Sequence, residues 1–139
     1  MPLTSFGAVL SFAEEIETRD RDFYLALAEN PNCAQHRELL QRLAAEAAQR
    51  AKTARRIRRE NVTEMILEPI RDFERRPFMA DRGDPRTMNA ADAVEACRVL
   101  EDRAARYYRE AAVKIKALPE AARALRQLGA KRMAGLNLL

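Results

Sequence analysis

Apolar residues recur at three- and four-residue steps in four stretches of this chain, the spacing that gathers them on one face of an α-helix. The first stretch runs from Phe6 to about Asn30 through Val9, Leu10, Ala13, Ile16, Phe23, Tyr24, Leu27 and Ala28. Thr4 or Ser5 stands where a side-chain oxygen would cap its start. Asn30-Pro31-Asn32 breaks the pattern, and Asn32 with Gln35 three places on predicts a capping box for a second helix reaching about Glu60. Its stripe is Leu39, Leu40, Leu43, Ala47, Ala51, Ala54 and Ile57. Asn89, with Asp92 three places on, predicts the cap of a third helix carrying Val94, Cys97, Leu100, Ala104, Tyr107, Tyr108, Ala111, Ala112 and Ile115. Pro119 suits the first turn of a fourth, which continues through Ala122, Leu125, Leu128, Met133 and Leu136.

Residues 61–88 have no such rhythm, because Pro69, Pro77 and the Arg82-Gly83-Asp84-Pro85 cluster interrupt it, although Val62 to Ile70 has room for a short helix. The expectation is an all-α four-helix bundle, a single domain over residues 1–139, with one long crossover between helices two and three. A faint duplication runs through it. Ala13, Glu17 and Phe23-Tyr24 match Cys97, Glu101 and Tyr107-Tyr108 at an offset of 84, and Leu40-x-x-Leu43 matches Leu125-x-x-Leu128 at 85. Helix one therefore reads as a cousin of helix three, and helix two of helix four.

Composition agrees with the helical reading: 47% of the 139 residues are hydrophobic and 4 are Gly, which argues against both disorder and a turn-rich β fold. No run approaches the roughly 18 uncharged residues of a membrane span, and the opening Met1-Pro2-Leu3-Thr4-Ser5-Phe6 lacks a basic start before its apolar stretch. The expectation is a cytoplasmic protein with no membrane segment. Cys33 and Cys97 are too few for a disulfide framework and lack CxxC spacing. They read as reduced thiols, Cys97 as a core filler and Cys33 as a residue of a polar turn, where exposure would make it reactive.

The segment Glu15-Ile16-Glu17-Thr18-Arg19-Asp20-Arg21-Asp22-Phe23-Tyr24, its echo Glu101-Asp102-Arg103-Ala104-Ala105-Arg106-Tyr107-Tyr108, and Leu43-Ala44-Ala45-Glu46 together resemble the rubrerythrin branch of the ferritin-like superfamily. The resemblance covers most of the chain. It implies a bundle whose first and third helices each give a carboxylate six positions before a Phe-Tyr-like pair. The second and fourth would each give Glu-x-x-His, four carboxylates and two imidazoles holding a di-iron centre. Residues three apart share a helical face, so one Glu-x-x-His motif grips one metal. It also implies a homodimer. Here Glu17 and Glu101 occupy the carboxylate positions, but helix two reads Ala47-x-x-Arg50 and helix four Arg132-x-x-Gly135. Both Glu-x-x-His motifs are degenerate, and the single histidine, His36, lies near the start of helix two.

Two inward carboxylates without iron must take up protons, recruit water or find cations. Arg50 lies on the stripe of Leu43, Ala47 and Ala54, and Arg132 on that of Leu125, Leu128 and Leu136. The expectation is therefore a polar core cluster in which Glu17 and Glu101 pair with Arg50 and Arg132, with Asp20 one turn beyond Glu17 as a further acceptor. The bland alternative sends both arginines past the core to solvent on their long stems. On the first reading the protein is a non-catalytic binding or scaffold protein that has lost the di-iron site and has no cofactor. The rival keeps an iron or manganese oxidoreductase, with Glu17, Glu46 and Glu101 as an oxygen-only metal site. A third reading, an apolar ligand in the bundle core, finds no specific ligand in the sequence.

Arg50, Lys52, Arg55, Arg56, Arg58 and Arg59 form the most basic stretch, but at 100° per residue they scatter around the helix, and its C-terminal end favours cations through the dipole alone. Glu64, Glu68, Asp72 and Glu74 in the crossover are available to neutralise them. Nucleic-acid binding is not the favoured reading. Phe23, Tyr24, Tyr107 and Tyr108 read as core packing, with a pocket of tyrosine hydroxyls as the functional alternative. Met65-Ile66-Leu67 and Phe78-Met79 are apolar for a connector and read as a cover for the bundle or a neighbouring subunit.

Overall fold

Ser5 Oγ accepts from the amide of Ala8 and opens helix α1, Phe6–Glu29. The computed structural model describes residues 2–61 and 70–139. The short helix expected over 62–70, Met65-Ile66-Leu67, Glu64 and Glu68 lie almost wholly outside the described residues. Among the described residues three further α-helices follow: α2 over Arg37–Glu60, α3 over Ala90–Lys114 and α4 over Pro119–Asn137. Asn89 caps α3 through the amide of Asp92, and Pro119 sits in the first turn of α4, both as the sequence predicts.

The start of the second helix differs from expectation. Pro31–His36 is a 3₁₀ segment, and its cap is Asn30, whose Oδ1 accepts from the amide of Asn32. Asn32 instead directs its side chain to the carbonyl of Met88, so the Asn32/Gln35 box does not form. The tighter 3₁₀ winding turns the chain sharply enough to bring α2 back along α1.

Residue pairs give the helix directions. Arg50 meets Glu17, Arg55 meets Glu14 and Arg58 meets Ser11, so α2 runs antiparallel to α1. Tyr24 reaches Glu101 while Tyr107 reaches Val9, so α3 is also antiparallel to α1. Arg98 meets Leu139 while Gly129 lies against Tyr108, so α4 returns along α3. It follows that α2 and α3 are parallel, an arrangement that needs a connection as long as a helix. The crossover supplies it. It is tied to the start of α1 by Leu3 with Phe73 and by Thr4 with Ile70, and to the far end of α1 by Asn30 with Pro85 and Met88.

Phe73 and Phe78 of the crossover are buried against Tyr107, stacked and edge-on respectively, so these two rings cover the bundle itself. Met79 beside them is exposed, as is Met133 on α4, which the pattern had placed on the inward stripe. The core is divided. One apolar cluster joins the first half of α1, the end of α2, the second half of α3 and the start of α4; the other joins the end of α1, the start of α2 and the start of α3. The residues between these two layers are charged.

Candidate functional site

Glu17 and Asp20 sit one turn apart on α1, at the level where apolar burial gives way between Ile16 and Phe23. Arg50 comes to this level from α2, Glu101 and Arg103 from α3, and Arg132 from α4. All six are buried, and Glu17, Asp20, Glu101 and Arg132 are each 0% exposed. Burying three carboxylates is tolerable only if each finds donors.

Arg132 is the hub. Its Nε and Nη2 fork onto the two oxygens of Glu17 at 3.2 and 2.8 Å, Nη2 also reaches Asp20 Oδ2 at 2.7 Å, and Nη1 reaches Glu101 Oε1 at 3.0 Å. One guanidinium thus holds acids from two helices, which its planar set of five donors permits and a lysine would not. Arg50 adds a bond from Nε to Glu17 Oε1 at 3.0 Å. The arginines do not extend to solvent.

Tyr24 and Tyr108 complete the arrangement, and here the offset of 84 becomes physical. Tyr24 donates to Glu101 Oε1 and Tyr108 to Glu17 Oε2, both at 2.5 Å, so each duplicated tyrosine serves the carboxylate of the other half. Burial and the adjacent carboxylates hold both hydroxyls well above the usual phenol range, so they act as donors. Phe23 and Tyr107 stay in the packing role, Tyr107 with its hydroxyl on the carbonyl of Val9.

Two members were not foreseen. Arg103 places Nη2 at 2.9 and 2.8 Å from the oxygens of Asp20, and Arg82 from the crossover places Nε and Nη2 at 3.0 and 2.8 Å from Asp20 Oδ1. Asp20 is therefore held by three arginines. Burial alone would raise its carboxyl, but Arg132, Arg103 and Arg82 more than reverse this and hold it below the usual carboxylate range. Arg132 responds in kind: burial would lower it, and Glu17, Asp20 and Glu101 drive it well above the ordinary guanidinium value. Arg103 had a signal in the sequence, since it falls one turn after Leu100 and one before Tyr107. Arg82 had none, because it sits among Gly and Pro where no periodicity reports which way a side chain faces.

Other expected site residues fall elsewhere. Glu46 is half-buried at the edge of α2 and pairs with Arg42 at 3.2 Å, so it joins neither Glu17 nor Glu101. It lies about 70° off the centre of the stripe of Leu43, Ala47, Arg50 and Ala54, too far around the helix to face inward. His36 ends the 3₁₀ segment, with its ring beside Gln35. Cys33 is 0% exposed rather than accessible, because the 3₁₀ segment folds it under the second apolar cluster; burial pushes its thiol up. Cys97 is a core residue whose thiol is pushed up to about 12, mainly by burial and then by Glu101. In the basic stretch Arg50 is internal, while Arg55 pairs with Glu14 and Arg58 with Ser11, so its charges do not share one face.

The di-iron centre implied by the resemblance does not fit these residues. Each oxygen of Glu17 and of Asp20 already accepts at least two hydrogen bonds, and every donor to them but Tyr108 is a permanent cation. An incoming metal would meet four guanidiniums and no imidazole. Among the described residues no group of three or more His, Cys, Asp and Glu is arranged to hold a metal ion. No protein-family model matches this chain, and neither a curated protein nor a solved structure matches it.

Proposed function

We propose that this chain is a ferritin-like bundle of the rubrerythrin type in which arginines have replaced the metal, and that it works as a binding or scaffold protein rather than an oxidoreductase. The observation that carries this reading is Arg132. It stands at the position where the resemblance places the glutamate of the fourth helix, and it joins Glu17, Asp20 and Glu101 through one guanidinium. Charge that a metal would have neutralised is neutralised by the chain. The parallel course of α2 and α3 and the single long crossover support the ferritin-like assignment. No helix among the described residues is long and apolar enough to cross a membrane. Pairing into a homodimer and a cytoplasmic location belong to the same proposal, the first from the resemblance and the second from two free, buried thiols.

Elemental analysis of protein purified without chelators tests the proposal. The expected result is no stoichiometric iron or manganese, before or after incubation with the ferrous ion under anaerobic conditions. About two tightly held iron atoms per chain, the number in a binuclear centre, would overturn it.

A further inference from the structure

Among the described residues the charged core is not balanced. Glu17, Asp20 and Glu101 bring three carboxylates, and Arg50, Arg82, Arg103 and Arg132 bring four guanidiniums, so one positive charge is left over. Of the four guanidiniums, Arg50 is the least paired. Arg50 donates a single hydrogen bond among the described residues, from Nε to Glu17, and its Nη2 is buried with no partner although the side chain is only 2% exposed. An unpaired donor of a buried guanidinium costs more than a lost neutral hydrogen bond, so such a group is expected to have an acceptor in use.

Arg50 forms the inner wall of a cleft of about 300 Å³ between α2 and α4, whose other walls are Glu46, Gln49, Lys131 and Ala134. Lys131 is exposed at the rim and makes no ion pair among the described residues. Glu46, the acid of the cleft, is already engaged by Arg42. The cleft therefore offers an inner guanidinium and an outer ammonium, with Gln49 also in its wall. The wall is open because α4 presents Ala134 where a longer side chain would fill the space.

We propose that this cleft binds a small oxyanion, a single carboxylate or phosphoryl group, with the Arg50 guanidinium as the inner donor group and Lys131 as the outer one. One oxyanion against this guanidinium would offset the surplus charge. Charge complementarity selects the class: the site has two cations and one occupied acid. The inference rests on the reading of the core as arginine-filled, and the two fail separately, since elemental analysis judges the core and anion titration of metal-free protein judges the cleft.

Titration of the full chain with sodium phosphate, and separately with sodium acetate, followed by amide chemical shifts against a sodium chloride control of equal ionic strength, tests the proposal. The expected result is saturable shifts for residues 46–50 and 131–134 with at least one of the two oxyanions; acetate reports a carboxylate ligand and phosphate a phosphoryl one. Lys131→Gln, a surface change that leaves the core intact, should weaken binding roughly tenfold. Glu46→Gln removes the one acid of the cleft and should tighten it about threefold, an effect a purely structural role would not produce. Shifts no larger than those from chloride, or an affinity unmoved by Lys131→Gln, would overturn the proposal.

Discussion

Glu17 and Glu46 are both glutamates paired with arginine, yet they sit in opposite electrostatic regimes. Glu17 accepts four hydrogen bonds from Arg50, Arg132 and Tyr108 with no contact to water, whereas the pair of Glu46 with Arg42 is open to solvent. Neutralising a buried partner leaves the opposing charge unpaired in a medium of low dielectric, and the cost is typically about 3–5 kcal/mol; an exposed pair is worth about 1 kcal/mol or less. Glu17→Gln preserves shape and presents an amide where Arg132 and Arg50 need an acceptor. It should lower unfolding stability by roughly 3–5 kcal/mol, against less than about 1 kcal/mol for Glu46→Gln. Urea denaturation of the two variants checks this, and equal small losses would mean that the cluster does not hold the fold. The difference between the two glutamates was readable from helical geometry alone, since Glu17 shares a face with Ala13 and Tyr24, and Glu46 lies off the stripe of its helix.

At the scale of elements, what closes the cluster is the approach of α4 to α3, and two glycines set it. An added Cβ at Gly129 would lie 3.2 Å from Cβ of Tyr108, and one at Gly135 would lie 3.0 Å from Oε2 of Glu101. The first neighbour is anchored to backbone and the second is the end of a side chain, so the two positions respond differently. Gly129→Ala gains about 1 kcal/mol of helix propensity. It must also push α4 away from α3, against an overpacking cost of roughly 1–3 kcal/mol, and it displaces the level at which Tyr108 meets Glu17. The net expectation is destabilisation, measured by thermal unfolding; a variant at least as stable as the parent would show that the α3/α4 contact has slack. Gly135 is the counterpart of Arg50 in the duplicated pattern. Where position 50 gives α2 an arginine for Glu17, position 135 gives α4 no side chain, so Glu101 takes its α4 bond at Oε1 from Arg132 and its Oε2 has no partner among the described residues. The four helices, their caps at Ser5 and Asn89 and the length of the crossover were legible because each depends on local spacing. The 3₁₀ entry to α2 and the burial of Cys33 were not, because Asn30 and Asn32 are tied to Pro85 and Met88 more than fifty residues away. Arg82 was hidden for the same reason: its partner, Asp20, is set by where the crossover lies and not by its own neighbours.

For the whole molecule, the cluster is the layer that joins two apolar clusters contributed by all four helices and the crossover, so its protonation state is a state of the fold. Asp20 bonds to arginines from α3, α4 and the crossover at once. Its carboxyl is held below the ordinary range by those three cations, against the opposing effect of burial. The folded chain therefore gives up this proton more readily than the unfolded chain. The resulting stabilisation is whole above the unfolded carboxyl value of about 4 and is lost as pH falls through the lower folded value. Tyr24 and Tyr108 mark the other side. Burial, reinforced by Glu101 and Glu17 respectively, raises both hydroxyls, so their share is whole below the unfolded phenol value of about 10 and is lost as pH rises toward the folded ones. Stability should thus form a broad plateau bounded by an acid limb beginning near pH 4 and an alkaline limb beginning near pH 10, both about the values of the unfolded groups. Urea denaturation across pH measures it. Asp20→Asn should flatten the acid limb and Tyr108→Phe the alkaline one, each while lowering the plateau; an acid limb of unchanged shape in Asp20→Asn would place the source of acid unfolding outside this layer. Added salt should leave the plateau nearly level, because ions in solution do not screen charges that water does not reach.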